Sequence, residues 1–458
     1  MFTTKEVAEK LNVTVRRVNA LIASGDLQAE KFGNAWMIDE RSVSTRLEQP
    51  IPSGRPKMGE KNPRMLSSYV LMNRNHAVLT FTYNRRTHET ANVTPCEGVD
   101  WKPFGTGLIE TSPNRYDLAT WISSRAIPAL RPRLPLALRS PEVTDASDLM
   151  LSSWGLNLSD QYWFKPLDTQ ADWHELNYFE NEYEKAFGEA LLDGAKRAHI
   201  AGYTPDTATP GMLAKAWMRI DGIDCLVKGG LGNENREPYN EVLATKLLSR
   251  LLDQGEYVAY TLVERHGRAF SACPTMSTAE TEFIPAADVL TAFGITQGRD
   301  VHRGYLDAGA TLGISDISEQ LDKMIVADHI MANFDRHTHN FGLIRDVESR
   351  GAYRVAPLFD NGGGFYSRAT TVELETRPYV WEAHPFRMYP SQQLELVGSL
   401  QWFDPACLDG FMDDIATILG QNPNLDNRFI EMVQQQTAQR IAQVTHTAAE
   451  RNALFGGF

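Results

Sequence analysis

The spacing of apolar and polar residues predicts two short helices and a hairpin within the first 48 positions. Thr3 and Glu6 have the spacing of a capping box, and Thr14 can cap a second helix. Apolar residues then recur on one side of each predicted helix: Val7, Ala8 and Leu11 in the first, and Val18, Leu21 and Ile22 in the second. Gly33 and Asn34 predict a two-residue hairpin turn between short strands. This order of elements is that of a winged helix-turn-helix.

Proline and glycine interrupt the pattern in residues 49–64, which hold four prolines, two glycines and five charged side chains. A segment with so little to bury is predicted to be a linker. Residues 65–276 then alternate between strands, helices and loops, whereas residues 277–458 are mainly helical. The pattern therefore predicts an α+β fold with a mixed first part and a helical second part.

Several elements of this region are specific enough to place single residues. The apolar strand in "IDCLVKGG" ends at Lys228, and the next helix, in "NEVLATKLLSRLL", carries Glu241 near its start. The stretch "LVERHGRAF" is predicted to be a hairpin. The helix in "ISEQLDKMIVADHIMANF" runs directly into Asp335, and a short apolar strand is predicted to end at Asp360.

Composition limits the class of protein. The formal net charge of the 458 residues is -13, so phosphate repulsion argues against general nucleic-acid binding, and any DNA contact must come from a small segment. Cys96, Cys225, Cys273 and Cys407 lie far apart, which argues against a zinc ribbon and a disulfide framework. No run approaches the roughly 18 apolar residues that span a bilayer. We therefore expect a cytoplasmic protein with reduced cysteines and no membrane partner.

The stretch "ANFDRHTHNFGLIRD" crowds ionisable side chains into a few positions, with Asp335 and Asn340 five residues apart. Phosphoryl transfer from ATP needs a carboxylate for the attacking hydroxyl, oxygen ligands for Mg²⁺, and a cation on the phosphates that another carboxylate holds in place. Lys228, Glu241, Asp335, Asn340 and Asp360 occur in the order in which protein kinases present these groups. The order predicts an ATP and Mg²⁺ site.

Other interpretations of the same residues are weaker. His329, His337 and His339 with Asp335 suggest a transition-metal site, but their spacing fits no common zinc pattern such as H-E-x-x-H. A serine hydrolase is disfavoured because no G-x-S-x-G occurs. The three glycines from Gly362 to Gly364 do not open a G-x-G-x-x-G motif, so we expect them to supply conformational freedom after Asp360.

The run "TTKEVAEKLNVTVRRVNALIASGDLQAEKFGNAWMI" resembles the excisionase and MerR-like helix-turn-helix family over residues 2–47. In that family the second helix enters the major groove and the wing contacts the DNA backbone. The resemblance implies that these residues face DNA: Thr14, Arg16, Arg17 and Asn19 from the second helix, and Lys31 from the wing. Residues 1–48 hold seven basic and seven acidic side chains, so an interaction module without DNA affinity is the alternative.

The runs "NFDRHTHNFGLIRD" and "VAPLFDNGGG" resemble the HipA-like serine/threonine kinases, and the resemblance extends over residues 65–458. It implies a two-lobed protein-kinase-like fold, with residues 65–276 as the mixed N-lobe and 277–458 as the helical C-lobe. It also implies that Asp335 is the catalytic base and that Asn340 and Asp360 ligate Mg²⁺. Lys228, held by Glu241, would contact the ATP phosphates, and His337 would lie against the nucleotide.

The segment "TPDTATPGMLAKAW" stands where that family keeps its phosphate-binding loop, which would assign Gly211 and Lys215 to the nucleotide. It departs from the Ser-Gly-rich loop of the best-known members. Because some relatives autophosphorylate this loop, Thr204, Thr207 and Thr209 are the candidate acceptors. Capping of helices and turns is the competing role for each of them.

The combined expectation is an ATP- and Mg²⁺-dependent serine/threonine kinase fused to a DNA-binding module, of toxin or autoregulator type. Its partners would be a protein substrate with a Ser or Thr acceptor, the chain itself, and DNA bound through residues 1–48. An oligomer is compatible with the sequence. Two alternatives stay open: a nucleotide-sensing transcription regulator with an inactive kinase fold, and a small-molecule phosphotransferase.

Overall fold

The computed structural model describes most of the chain. The described residues are 1–11, 13–23, 25–32, 35–48, 66–96, 101–105, 118–128, 131, 134, 146–193, 203–295, 300–349, 351–376 and 381–455. The predicted linker, residues 49–64, and the predicted turn at Gly33 and Asn34 lie outside these ranges.

The N-terminal unit has the predicted helices and hairpin strands, together with a first strand and a third helix that the sequence pattern did not predict. Its elements are β1 (Phe2–Thr3), α1 (Thr4–Leu11), α2 (Val15–Ala23), β2 (Ala29–Phe32), β3 (Ala35–Ile38) and α3 (Glu40–Glu48). The strand order is β1-β3-β2, and the described pairs are antiparallel. Both predicted caps form: the Glu6 carboxylate accepts from the Thr3 backbone N–H at 2.8 Å, and the Thr14 hydroxyl accepts from the Arg17 N–H at 3.1 Å. Val7, Val18 and Ile38 form its small separate core.

A four-stranded antiparallel sheet follows, in the order β6-β5-β4-β7. Its strands are β4 (Leu66–Asn73), β5 (His76–Asn84), β6 (Glu89–Pro95) and β7 (Tyr162–Pro166). Two helices, α4 (Leu118–Arg125) and α5 (Ala146–Ser152), share its apolar core. Alternate residues of β5 are buried, because successive side chains of a strand point to opposite faces of a sheet.

The second four-stranded sheet carries the lysine of the predicted site. It is formed by β8 (Lys215–Ile220), β9 (Ile223–Lys228), β10 (Thr261–Arg265) and β11 (Arg268–Pro274), in the order β10-β11-β9-β8. The predicted hairpin between β10 and β11 is confirmed. His266 and Gly267 both have positive φ, 50° and 72°, as a two-residue type I′ turn requires. Helices α6 (Trp173–Leu176) and α7 (Ala186–Asp193) and a 3-10 turn, Pro205–Ala208, precede β8, and α8 (Glu237–Leu251) follows β9.

The C-terminal part is mainly helical, as predicted, with one small sheet. The sheet is β12 (Thr281–Pro285), β13 (Gly342–Asp346) and β14 (Tyr353–Val355), all antiparallel. The helices are α9 (Ala286–Ala292), α10 (Val301–Thr311), α11 (Ile317–Met331), α12 (Thr371–Thr376), α13 (Pro390–Leu394), α14 (Phe411–Leu419) and α15 (Asn427–Phe455). The predicted α+β fold class is confirmed.

Two details position the site. Leu243 and Leu247 of α8 pack in the same apolar core as Ile325 and Ile330 of α11, so the helix carrying Glu241 is fixed to the helix that leads to Asp335. The predicted strand before Asp360 is shorter than expected, because β14 ends at Val355 and Asp360 lies in the loop beyond it.

Candidate active site

The Lys228 ammonium lies at the centre of the site, at the end of β9. It donates to the Asp360 carboxylate at 2.8 Å and to the Glu241 carboxylate at 3.1 Å. The side chains of Lys228 and Glu241 are almost fully buried, whereas that of Asp360 is 27% exposed. The three residues come from a strand, a helix and a loop, and the structure brings them together as the sequence order predicted.

The charges of this group depend on one another. Burial alone would lower the pKa of Lys228, but the carboxylates of Asp360 and Glu241 raise it well above its ordinary value. Burial would likewise raise the pKa of Asp360, but Lys228 and Lys215 hold it well below the ordinary range. The two lysines therefore favour the ionised form of Asp360, whose side chain is the partly exposed one of the group.

Tyr260 is a member of the site that the sequence did not indicate. Its hydroxyl accepts hydrogen bonds from the Lys228 ammonium and from the backbone N–H of Asp360, both at 3.2 Å. The backbone N–H of Asn361 in turn donates to the second oxygen of Glu241 at 2.9 Å. The side chains of Tyr260 and Glu241 thus hold the backbone around Asp360, which has a φ of 56°. A positive φ at a non-glycine residue is strained and persists where neighbours fix it.

The predicted catalytic loop is a compact turn after α11. The carbonyl oxygen of Asp335 accepts from the backbone N–H of His337 at 2.8 Å and from the Asn340 side-chain amide at 2.9 Å. The Asn340 amide group donates its proton inward, which leaves its oxygen as an acceptor. Burial and the nearby charge of Asp360 raise the pKa of Asp335, whose side chain is only half-buried.

The side chain of Arg336 is fully buried and stabilises this turn. Its guanidinium donates two hydrogen bonds to the Asp328 carboxylate, at 2.9 and 3.0 Å. It also donates to the carbonyl oxygens of Asn340 and Phe359. It also reaches the side chain of Asn361. One arginine therefore joins α11, the loop carrying Asn340 and the loop carrying Asp360. The sequence marked Arg336 only as part of a crowded stretch.

The three glycines after Asp360 have a different role from the one expected. Positive φ angles, which glycine adopts freely, are not found at Gly362, Gly363 or Gly364. A Cβ on Gly363 would lie 2.7 Å from the Cβ of Asp335. The expectation of conformational freedom was wrong, and the reason for glycine at position 363 is the close approach of this loop to the turn that carries Asp335.

The predicted phosphate-binding segment lies against the same site. Gly211 has a φ of 99°, and a Cβ there would lie 2.4 Å from the Lys215 ammonium, so Lys215 reaches back over the loop. Burial lowers the pKa of Lys215 to about 8, although Asp360 opposes the shift. Arg131, which the sequence did not single out, is fully buried and donates to the carbonyl oxygens of Gly211, at 2.9 Å, and Thr209.

The three candidate acceptor hydroxyls are buried and hydrogen-bonded. Thr204 caps the 3-10 turn and donates to Asp206 at 3.0 Å, Thr207 donates to the Thr204 carbonyl at 3.1 Å, and Thr209 donates to the Pro205 carbonyl at 2.9 Å. Thr204 therefore has the capping role, whereas Thr207 and Thr209 are held by hydrogen bonds to backbone carbonyls of the same segment. Phosphorylation of any of them would first require the segment to open.

The histidines do not form a metal centre. His329 is buried in α11 and contacts Gln443 at 3.0 Å, whereas His337 and His339 lie in the exposed part of the turn. Among the residues that the structure describes, no group of three or more His, Cys, Asp or Glu side chains is arranged to hold a metal ion. The assignment of His337 to the nucleotide stays a prediction.

The predicted DNA-contacting residues differ in their surroundings. Asn19 and Lys31 are exposed, and Thr14 caps α2. Arg16 and Arg17 instead form ion pairs with residues far along the chain: Arg16 with Asp224 at 3.2 Å, and Arg17 with Glu180 at 3.1 Å. These two guanidiniums are thus engaged within the chain, and their role in DNA binding stays a prediction.

Comparison with known proteins gives matches for both parts of the chain. The family described as a helix-turn-helix domain matches residues 1–50. The serine/threonine-protein kinase CtkA of Helicobacter pylori is 28% identical to this chain over 28% of this chain and 45% of that kinase. A crystal structure of that organism's proinflammatory kinase CtkA superposes with a TM-score of 0.39 and 17% identity, over 52% of this chain and 95% of the other.

The chain therefore begins with a helix-turn-helix domain, as the capping signals and the hairpin predicted. A segment of the chain is also homologous to the serine/threonine-protein kinase CtkA. The predicted relationship to serine/threonine kinases is thereby confirmed. The matched segment spans a little under half the length of that kinase. Within the described ranges, none of the helices is long and apolar enough to cross a membrane.

Proposed function

We propose that this protein is an ATP- and Mg²⁺-dependent serine/threonine protein kinase of the HipA-like type, with a DNA-binding domain at its N-terminus. The observation that carries the proposal is the contact of Lys228 with both Glu241 and Asp360, next to the turn that holds Asp335 and Asn340. An ion pair between Lys228 and Glu241 that only stabilised the fold would not need Asp360 as a second carboxylate next to the turn with Asp335. A phosphoryl-transfer site needs all of these groups.

The donor set fits a magnesium ion. Mg²⁺ prefers hard oxygen ligands, and the Asp360 carboxylate and the Asn340 amide oxygen are one anionic and one neutral oxygen donor. Asp360 is ionised because Lys228 and Lys215 lower its pKa, and it is the member of the lysine network that is partly exposed. When bound, Mg²⁺ would neutralise charge on the ATP phosphates.

The lysines are suited to the phosphates themselves. Lys228 is held in place by Glu241, so its ammonium needs little reorganisation to contact the α- and β-phosphates. Lys215, from the adjacent strand, reaches over Gly211 and interacts electrostatically with Asp360. The arrangement would place positive charge on both sides of the triphosphate, with Arg131 fixing the backbone of the loop in between.

Asp335 would act as the base. The acceptor hydroxyl oxygen forms the new bond to the γ-phosphorus, the bond from that phosphorus to the β–γ bridging oxygen breaks, and ADP leaves with the electron pair. Asp335 takes the proton of the hydroxyl. Its pKa is raised, which brings a carboxylate closer to the pKa that a base at neutral pH requires.

The rest of the proposal concerns partners. The substrate would be a protein with a Ser or Thr acceptor in the cytoplasm, and the chain itself becomes a substrate if the segment with Thr204, Thr207 and Thr209 opens. The helix-turn-helix domain would bind DNA through α2 and the β2–β3 hairpin, with Asn19 and Lys31 already exposed. A kinase joined to such a domain would act as a toxin or autoregulator in one chain.

The test is transfer of the γ-phosphate. The purified chain is incubated with γ-labelled ATP and Mg²⁺, alone and with lysate proteins, beside Asp335→Asn and the exposed control Asp307→Asn. We expect label on Ser or Thr with the wild type and Asp307→Asn, and transfer that is at least about 100-fold slower with Asp335→Asn. ATP binding without transfer would instead favour the nucleotide sensor, and transfer only to small alcohols would favour a small-molecule phosphotransferase.

A further inference from the structure

The helix that would enter DNA is bound to another part of the same chain. Arg17, at the start of α2, pairs with Glu180 at 3.1 Å, and the two side chains are only 6% and 14% exposed. Arg16 pairs with Asp224 at 3.2 Å. Glu180 lies 163 residues from Arg17, and Asp224 lies 208 residues from Arg16, so these are contacts of the folded chain and not of local sequence.

The carboxylates that receive α2 belong to one acidic face, formed by Glu175, Glu180 and Asp224. A third contact joins Arg46 of α3 to Glu175 at 4.0 Å. Glu175 lies on α6 and Asp224 on β9, so two structural elements and the segment after α6 present the face. The contact therefore covers more than one side chain of the helix-turn-helix domain.

Two carboxylates of the acidic face, those of Glu180 and Asp224, are held by neighbours outside α2. The side chains of His174 and Asn177 contact the Glu180 carboxylate at 3.1 and 3.0 Å. Arg219 donates to Asp224 at 2.9 Å. Since the carboxylates are already oriented, binding of α2 costs little side-chain entropy on this side of the contact.

DNA would require the same guanidiniums. Arginine binds phosphate oxygens and the edge of guanine through the groups that it uses for carboxylates. Arg17 is 5% exposed in the docked arrangement, so it cannot reach a duplex while it is bound to Glu180. The acidic face and DNA are thus alternative partners of α2.

We propose that the acidic face of Glu175, Glu180 and Asp224 is an internal docking surface for α2, which holds the helix-turn-helix domain in a form that does not bind DNA. The proposal rests on the DNA-binding role given to this domain above. The domain binds DNA only after α2 leaves the face, and the chain therefore competes with DNA for its own recognition helix.

The test compares Glu180→Gln with Glu184→Gln in the full chain. Gln keeps the shape of residue 180 and removes the charge that pairs with Arg17. Glu184 lies four residues further on and accepts from the Ala186 backbone N–H at 3.3 Å, so the control loses the same charge in the same segment outside the ion pairs with α2. Glu175→Gln, which loses the partner of Arg46, is a second disrupting variant.

Two quantities are measured for each variant. Binding to a mixed-sequence DNA duplex is followed at low ionic strength, where phosphate contacts are strongest. Hydrogen exchange of α2 and α6 reports docking independently of DNA. We expect Glu180→Gln to bind DNA about tenfold more tightly than wild type, the size of one charge-assisted hydrogen bond, and to exchange faster in both helices. Glu184→Gln should match wild type in both measurements.

The outcomes separate the two proposals. If wild type and Glu180→Gln bind DNA with equal affinity, the docking inference is overturned while the DNA-binding role stands. If exchange rises in Glu180→Gln but no variant binds DNA, the DNA-binding role fails, and the competition fails with it. Unchanged exchange in both Glu180→Gln and Glu175→Gln would show that α2 does not dock on this face.

Discussion

Arg336 and Asp328 form a fully buried, two-bond ion pair next to the turn that carries Asp335 and Asn340. The guanidinium meets the carboxylate at 2.9 and 3.0 Å, and neither side chain is more than 4% exposed. Asn333 donates to the same carboxylate at 2.9 Å. Because Arg336 also holds the carbonyls of Asn340 and Phe359, this pair fixes the two loops that carry the proposed magnesium ligands.

Replacement of Arg336 by Lys should therefore damage both stability and activity. Lysine keeps the charge but cannot reproduce a planar fork with five donors. We expect the free energy of unfolding to fall by about 3 kcal/mol, as for other broken buried pairs, and phosphoryl transfer to fall with it. Denaturant unfolding and transfer assays measure the two effects. Arg303→Lys, at an exposed pair with Asp307, is the control and should behave as wild type.

Replacement of Asp335 and replacement of Asp360 should impair different steps, transfer in the first case and magnesium binding in the second. Asp335→Asn should lower the rate of transfer by a factor of about 100 to 10,000, the usual contribution of a general base, with ATP binding retained. Asp360→Asn should first raise the Mg²⁺ concentration needed for half-maximal ATP binding, because an anionic ligand is lost. Magnesium titrations of nucleotide binding and of transfer distinguish the two. Equal magnesium dependence in the two variants would contradict the assignment of Asp360 as a ligand.

Tyr260 should act as a positioning residue. Tyr260→Phe removes the hydroxyl that accepts from Lys228 and from the backbone of Asp360. We expect the KM for ATP to rise by up to about 30-fold, at about 1 kcal/mol for each of the two hydrogen bonds lost, with a smaller change in kcat. Tyr389→Phe, at a ring that is 52% exposed, is the matched control. A fall in kcat with no change in KM would argue against a role in holding Lys228.

Gly363 should not tolerate a methyl group. In Gly363→Ala the new Cβ would lie 2.7 Å from the Cβ of Asp335 and 3.0 Å from the Asn333 side-chain oxygen, so the catalytic turn must shift. A small displacement of a catalytic group costs about 100-fold in rate, so transfer should fall by that order. Gly351→Ala, whose nearest neighbour would be 3.7 Å away, controls for the change of residue and should keep full activity.

The sequence predicted those parts of the site that have a local signature. Asp335 and Asn340 share one turn, Lys228 ends a recognisable strand and Glu241 lies near the start of a helix, so their order along the chain and their elements were sufficient to select them. The kinase relationship and the helix-turn-helix family were predicted from the resemblance of whole runs of sequence to known families.

The remaining features depend on residues that are distant in sequence. Tyr260 and Arg131 reach the site only through the fold, and nothing in their own neighbourhood marks them. Glycine spacing cannot tell a flexible loop from a close contact, so the role of Gly363 was misjudged. The pairing of Arg17 with Glu180 depends on how the helix-turn-helix domain lies against β9 and the segment after α6, which no local pattern encodes.

Asp206 should make stability depend on pH. Its buried carboxyl group accepts from the Trp217 backbone N–H at 2.7 Å and from Thr204 at 3.0 Å. Burial raises its pKa from the ordinary 3.8 to about 7. Between pH 4 and pH 7, Asp206 keeps its proton in the folded protein but loses it in the unfolded chain. Its contribution to the free energy of unfolding is therefore fully present below about pH 4 and is lost as the pH rises through about 7.

Asp206→Asn should remove this dependence, because the amide is neutral and can keep both hydrogen bonds if the Thr204 hydroxyl turns to accept. Relative to wild type, the variant should gain stability as the pH rises from 4 to 7, by about 1.4 kcal/mol per pH unit at most, with no further gain above that range. Denaturant unfolding of both proteins at several pH values measures the difference. Asp253→Asn, at an exposed carboxylate, should follow wild type throughout. A constant difference between Asp206→Asn and wild type across this range would mean that Asp206 is ionised in the folded protein at all of these pH values.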